Sequence, residues 1–132
     1  MWLLDTNAWI RYLNPGESGV KTRLRLCKPD EIVLCDIVKA ELYFGAYNSQ
    51  RVVENLHTLD MLFSLFRSLP FDGEAARVYG RIRAELARTG RIIGPYDLQI
   101  AAVTLRHDLT LVTHNVSEFG RIASLRLEDW EM

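Results

Sequence analysis

The chain has 132 residues, 48% of them hydrophobic, with 16 basic and 17 acidic side chains and a formal net charge of -1. That length suits one domain over residues 1–132, with a core that folds without disulfides or structural zinc, and the near-neutral balance leaves nucleic acid only a local patch to bind. Cys27 and Cys35 are too few and too far apart for zinc and fit a reducing cytoplasm, while MWLLDTN has neither a basic nor a long apolar region, so no signal peptide or membrane span is expected.

Trp2 to Leu4 is a short apolar run ending at Asp5-Thr6-Asn7, and AWIRYL then reads as a helix stopped by Asn14-Pro15-Gly16. A second helix is expected over Ser18 to Cys27, ended by Pro29. EIVLCD is a β-branched strand, with Asp36 placed to cap the helix IVKAELYFGAY. Over residues 50–68 the apolar positions Val52, Val53, Leu56, Leu59, Leu62, Phe63 and Phe66 recur at spacings of three and four, which predicts an amphipathic helix. After Pro70, Asp72 caps GEAARVYGRIRAELART and Gly90 closes it. The helix Pro95 to about Arg106, the strand LTLVT and a last extended piece in LRLEDW complete the chain. Trp9 is assigned to the core, and Tyr12 and Tyr47 to core or interface.

Short apolar strands alternating with helices predict an α/β domain with a parallel sheet covered on both faces. Ligands of such sheets sit beyond the carboxyl ends of the strands. Asp5, Asp36 and Thr113-His114-Asn115 all stand at such ends.

Three acids need explaining. Asp97, in the first turn of its helix, is accounted for by the helix dipole at roughly 0.3 to 1 kcal/mol. Asp5 is a suitable N-cap for the helix after it. Glu41 falls, on a helical wheel, between Ile37, Val38, Phe44 and Gly45, where an unpaired carboxylate is costly; a salt bridge to an arginine is the plainer explanation. If the three converge, each pair 4 Å apart repels by about 4 kcal/mol at an effective dielectric near 20, so some carry protons or a cation sits among them. Oxygen-only ligands favour Mg2+ or Mn2+ over Zn2+, and such an ion suits phosphodiester hydrolysis.

In order and spacing, LDTNAWI, AELYFGA, GPYDLQIAA, LVTHNVSEFGRI and LRLEDW resemble the PIN-domain toxins of bacterial toxin-antitoxin systems, the VapC ribonucleases. The resemblance covers essentially the whole chain. It implies a PIN-like three-layer α/β/α fold with a small parallel sheet, and carries metal ligands onto Asp5, Glu41 and Asp97. Asp5 and Asp97 would hold the first metal, directly or through water, with Glu41 ligating or orienting the attacking water. Asn115 and Glu118 are both candidates for the fourth position, where many relatives have an aspartate, and Thr113 resembles the family hydroxyl residue. Asp36 stands where relatives often show serine or threonine.

The resemblance further implies structured RNA as substrate, chiefly tRNA cut in the anticodon stem-loop; RAELARTGRIIGPYD and LRLEDW look like the branch associated with initiator tRNA. A VapB-type antitoxin is the implied partner, placing a basic side chain among the acids. Operator DNA would be contacted only through it. Homodimerisation and a larger toxin-antitoxin assembly are family traits, expected to cover residues 18–28 and 50–68. Arg77, Arg81, Arg83, Arg88 and Arg91 form either a solvated face or a border gripping RNA phosphates. Two rival readings stand beside this one: a PIN-fold nuclease acting on DNA, and an RNA-binding subunit whose site has degraded.

Overall fold

The computed structural model describes residues 1–131. Its strands are β1 (Trp2–Leu4), β2 (Ile32–Cys35), β3 (Arg67–Leu69), β4 (Thr110–Val112) and β5 (Arg126–Glu128). The helices are α1 (Thr6–Leu13), α2 (Gly19–Arg25), α3 (Asp36–Tyr47), α4 (Val52–Phe63), α5 (Gly73–Arg88), α6 (Pro95–Arg106) and the one-turn α7 (Val116–Phe119). The strands form one sheet in the order β3-β2-β1-β4-β5, every neighbouring pair parallel. Helices on both faces make the three-layer α/β/α architecture expected from the alternation of elements.

Burial follows strand position. β2 is buried throughout and β1 and β4 nearly so, as strands covered on both faces must be, whereas the edge strands β3 and β5 carry Arg67, Ser68, Arg126 and Glu128. Trp9 is fully buried, as expected, while Tyr47 is exposed. Cys35 is buried as a free thiol, and desolvation pushes its pKa up to about 11.

Two local expectations fail. The helix predicted over residues 50–68 ends at Phe63, and Arg67–Leu69 pairs with Val33–Cys35 as an edge strand. The 3.6-residue spacing runs on to Phe66, but the last residues exchange helical bonds for the ladder to β2, a partner more than thirty residues earlier. Asp36 does not cap α3: Cys35 is the N-cap, and Asp36 lies within the first turn without a side-chain capping bond, leaving it only the dipole. Ser18 caps α2, Asp72 caps α5, and Gly90 follows α5 with φ of 68°.

From β1 the chain moves outward to β2 and β3, then returns across β1 to β4 and β5. The direction of winding thus reverses between β1 and β4. At such a switch point the connections leave in opposite directions and open a crevice at the carboxyl ends of the two strands.

Candidate active site

Asp5 and Thr113 follow β1 and β4 immediately and so meet at the switch point. The Asp5 N–H extends the sheet by donating to the Val112 carbonyl at 3.0 Å. Its carboxylate is 5% exposed and accepts two hydrogen bonds: Oδ1 from the Ala8 N–H at 2.9 Å, which caps α1, and Oδ2 from the Thr113 hydroxyl at 2.6 Å. Thr113 Oγ1 in turn accepts the Asn115 N–H at 3.0 Å. Burial raises the Asp5 pKa, outweighing both hydrogen bonds, and Glu131 and Glu41 add repulsion. The capping expected of Asp5 therefore occupies one oxygen while the other faces the strand beside it.

Glu41 corrects the helical-wheel expectation. The buried stripe of α3 is Val38, Leu42 and Ala46; Phe44 is 70% exposed, and Gly45 is exposed as well. Glu41 is half-buried at the border of that stripe, and no arginine bridges it. Its Oε1 instead accepts a 2.6 Å hydrogen bond from the Thr6 hydroxyl. Thr6 was missed as a site residue; its only sequence signal is its place directly after Asp5.

Asp97 is the third residue of α6, behind the Gly94 cap and Pro95, and half-buried. Its side chain caps nothing: no hydrogen bond from the described residues reaches it. Burial, then Glu118, Asp5 and Glu41 in that order, push its pKa up to about 6. Those pairwise effects place the carboxylates of Asp5, Glu41, Asp97 and Glu118 in one neighbourhood. Among the described residues, no Lys, Arg or His nitrogen comes within 4.0 Å of any of the four.

Asn115 and Glu118 are a hydrogen-bonded pair, Asn115 Nδ2 donating to Glu118 Oε2 at 2.8 Å. Glu118 Oε1 accepts the Gly94 N–H at 3.2 Å, and Arg121 donates to the Ile92 carbonyl at 2.9 Å, so α7 and the turn after it brace the loop that leads into α6 and Asp97.

The arginines of α5 do not make one border. Arg77 and Arg81 share a depression with Glu74 and Arg106, and Arg106 lies at the far end of α6, nine residues from Asp97. Arg83 donates to the Tyr79 hydroxyl at 3.0 Å. Only Arg88 and Arg91 stand at the end of α5 that leads into the Asp97 loop, and both are exposed.

Beside Asp5 lies a further group that the sequence did not signal: His114, Asp129 and Glu131. It is the trio, among the described residues, whose ligand atoms all lie within 4.8 Å of one another. The carboxylates of Asp5, Glu41 and Asp97 are spaced more openly than that. Their donor set is nonetheless oxygen-only, with no basic nitrogen of the described residues within 4.0 Å and Asp97 lacking even a hydrogen bond from them, a combination that fits a hard divalent ion keeping some of its water.

The PIN domain model matches residues 2–125, and the chain belongs to the PIN domain family, in its branch of VapC ribonucleases. Ribonuclease VapC2 of Rickettsia felis is 36% identical over 132 residues, covering 99% of this chain and 98% of the relative. The tRNA(fMet)-specific endonuclease VapC of Shigella flexneri is 37% identical over 129 residues, covering 98% and 97%. Among solved structures, DNA-bound VapBC from Salmonella typhimurium matches with a TM-score of 0.91 at 36% identity, over 98% of this chain and 97% of that one.

Proposed function

We propose that this chain is the toxin of a toxin-antitoxin pair, a Mg2+- or Mn2+-dependent endoribonuclease that cuts tRNA in the anticodon stem-loop, with initiator tRNA the leading substrate. The observation that carries the reading is the meeting of four carboxylates from separate elements near the β1–β4 switch point, with no basic nitrogen of the described residues within 4.0 Å of them. Similarity to a relative named for tRNA(fMet) supports the choice of substrate.

A divalent ion bound there supplies an activated water and neutralises charge on the scissile phosphate. Asp5 and Asp97 would hold it. Asp5 is fixed by the Ala8 N–H and the Thr113 hydroxyl, Asp97 by its place on α6. Glu41, oriented by Thr6, positions the attacking water and takes up its proton. In-line attack by water leaves a 5′-phosphate and a 3′-hydroxyl. Asn115 and Glu118 act through each other and through Gly94, keeping the Asp97 loop in place.

A VapB-type antitoxin is the partner. An apolar groove of about 400 Å3 between α1, α3 and α4, lined by Ile10, Leu13, Leu42 and Leu59 among others, has Glu41 in its wall and suits a tail that ends in a basic side chain. Operator DNA is contacted through the antitoxin. Exposed Leu26, Val53, Met61 and Leu65 mark the α2 and α4 surfaces for the homodimer and the larger assembly. No helix among the described residues is long and apolar enough to cross a membrane.

The test is end-mapping of total RNA after brief expression of the chain without an antitoxin. One or a few tRNAs cut in the anticodon loop, with 5′-phosphate ends and no cutting in EDTA, is the expected outcome. Intact RNA would favour the binding subunit, and nicked DNA the DNA nuclease. Thr6→Val, which removes the hydroxyl held by Glu41 at nearly constant volume, should lower kcat about tenfold, the size of a lost positioning hydrogen bond at a metal site. Thr6→Ser should restore it, and purified variants assayed on one tRNA decide the point.

A further inference from the structure

The cleft beside Asp5 measures about 380 Å3, and its lining includes Asn7, Ile10, Arg11, His114 and Glu131, none used by the reaction above. Two acids of the last segment back this wall. Glu131 Oε1 lies 2.9 Å from Arg11 Nε, and Asp129 Oδ2 lies 2.9 Å from His114 Nδ1. The pairing is lopsided: the acidic side chains are 16% and 14% exposed, the basic ones 53% and 64%. Each acid engages one nitrogen of its partner, and Glu131 Oε2 also lies 3.9 Å from His114 Nδ1. The two terminal NH2 groups of Arg11 and Nε2 of His114 are left without a hydrogen bond to the described residues.

The acids are well anchored. Trp130, between them, is 2% exposed, and its carbonyl oxygen lies 2.0 Å from where a Cβ on Gly19 would stand, so only glycine allows that approach. Trp2 packs edge-on against the Trp130 ring and Arg23 lies over it. Asp129 Oδ1 also accepts the Glu131 N–H at 3.0 Å. A surface ion pair exposed on both sides contributes little and fixes little. Here the acids are set into the fold and hold two bases outward.

We propose that Arg11 and His114 form a subsite for an RNA backbone phosphate, next to the cutting centre and held in position by Glu131 and Asp129. The guanidinium fork left free on Arg11 matches two phosphate oxygens, and the His114 ring offers Nε2 as a further nitrogen in the same cleft. Ile10, 40% exposed, gives the cleft an apolar wall on which a ribose or base can rest. The subsite offsets part of the repulsion that an acidic centre exerts on RNA. It rests on the ribonuclease reading above.

The test measures binding of a fluorescein-labelled tRNA by the full chain carrying Asp97→Asn, which leaves the RNA uncut, over a range of salt. Arg11→Gln is expected to weaken binding about five- to tenfold and to reduce the slope of log K against log salt by about 1, the signature of one lost phosphate contact. His114→Gln should weaken binding about threefold, as loss of one hydrogen-bonding partner of the phosphate would. Arg126→Gln is the control: Arg126 is bound to Asp108 at the amino end of β5, across the sheet from the cleft, and affinity and slope should not move. Parent affinity and slope in both Arg11→Gln and His114→Gln would overturn the subsite. Should Arg11→Gln fold poorly, Arg11→Lys decides, since it keeps the charge but not the fork: reduced affinity at the parent slope supports the proposal, parent affinity overturns it. Failure of the starting Asp97→Asn chain to bind any tRNA would instead sink the ribonuclease reading beneath it.

Discussion

Replacing Asp97 with asparagine is expected to abolish RNA cutting and, in the same stroke, to stabilise the metal-free protein. Cleavage should fall on the order of 10^2- to 10^3-fold, the range found when a group stabilising transition-state charge is removed. The gain in stability follows from the isolation of this carboxylate: it is half-buried, accepts no hydrogen bond from the described residues, and is repelled by Glu118, Asp5 and Glu41. Its pKa in the folded protein, about 6, lies above the ordinary 3.8. Between those values the folded chain binds the proton that the unfolded chain has released, so stability declines as pH rises from about 4 to about 6 and stays lower above it. With screening at a half-exposed position, the penalty at neutral pH is about 1 kcal/mol, or roughly 4 °C in melting temperature for a chain of this size. Thermal melts of parent and Asp97→Asn in EDTA should differ by that amount at pH 7.5 and converge near pH 4. Mn2+ should raise the melting temperature of the parent and leave the variant nearly unmoved. Equal melts at pH 7.5 would mean that the Asp97 carboxylate carries no such penalty in the folded chain.

Asp5→Ala is expected to remove activity as well, with the opposite effect on stability. The Asp5 carboxylate caps α1 through Ala8 and satisfies the buried Thr113 hydroxyl. Losing the cap costs about 1 kcal/mol, and leaving a buried donor unmatched costs a further 1–3 kcal/mol. Relief of a desolvated charge returns part of this, so a net loss of about 2 kcal/mol is expected, read as a lower urea midpoint at unchanged m. Asp5→Asn, which keeps an oxygen for Ala8, should recover much of the stability and none of the cutting. Two acids of one centre thus answer substitution with opposite signs because one is hydrogen-bonded by the fold and the other is left for a ligand.

Much of the local structure was legible in the chain. Capping by Asp5 and Asp72 and the turn at Gly90 depend on groups within a few residues of each other, so the sequence states them directly. β3 was not legible, because Arg67-Ser68-Leu69 has no apolar run and becomes a strand only by pairing with Val33–Cys35. Nor was the orientation of Glu41: the wheel weighs hydrophobicity, but the fold buries the Val38–Leu42–Ala46 face and leaves Phe44 outside.

By itself, the sequence determined an alternation of short apolar strands and helices, the family, and three acids, two standing where a strand ends or a helix begins and the third, Glu41, within a helix. Tertiary structure alone decided that these acids come near enough to repel one another, and that Asp5 meets Thr113, because the strand order brings β4 beside β1 across more than a hundred residues of chain. It also decided which carboxylate receives hydrogen bonds and which receives none. Hydrogen bonds and charge repulsion act over a few ångströms of space, and separation along the chain gives no measure of that distance until the sheet has closed.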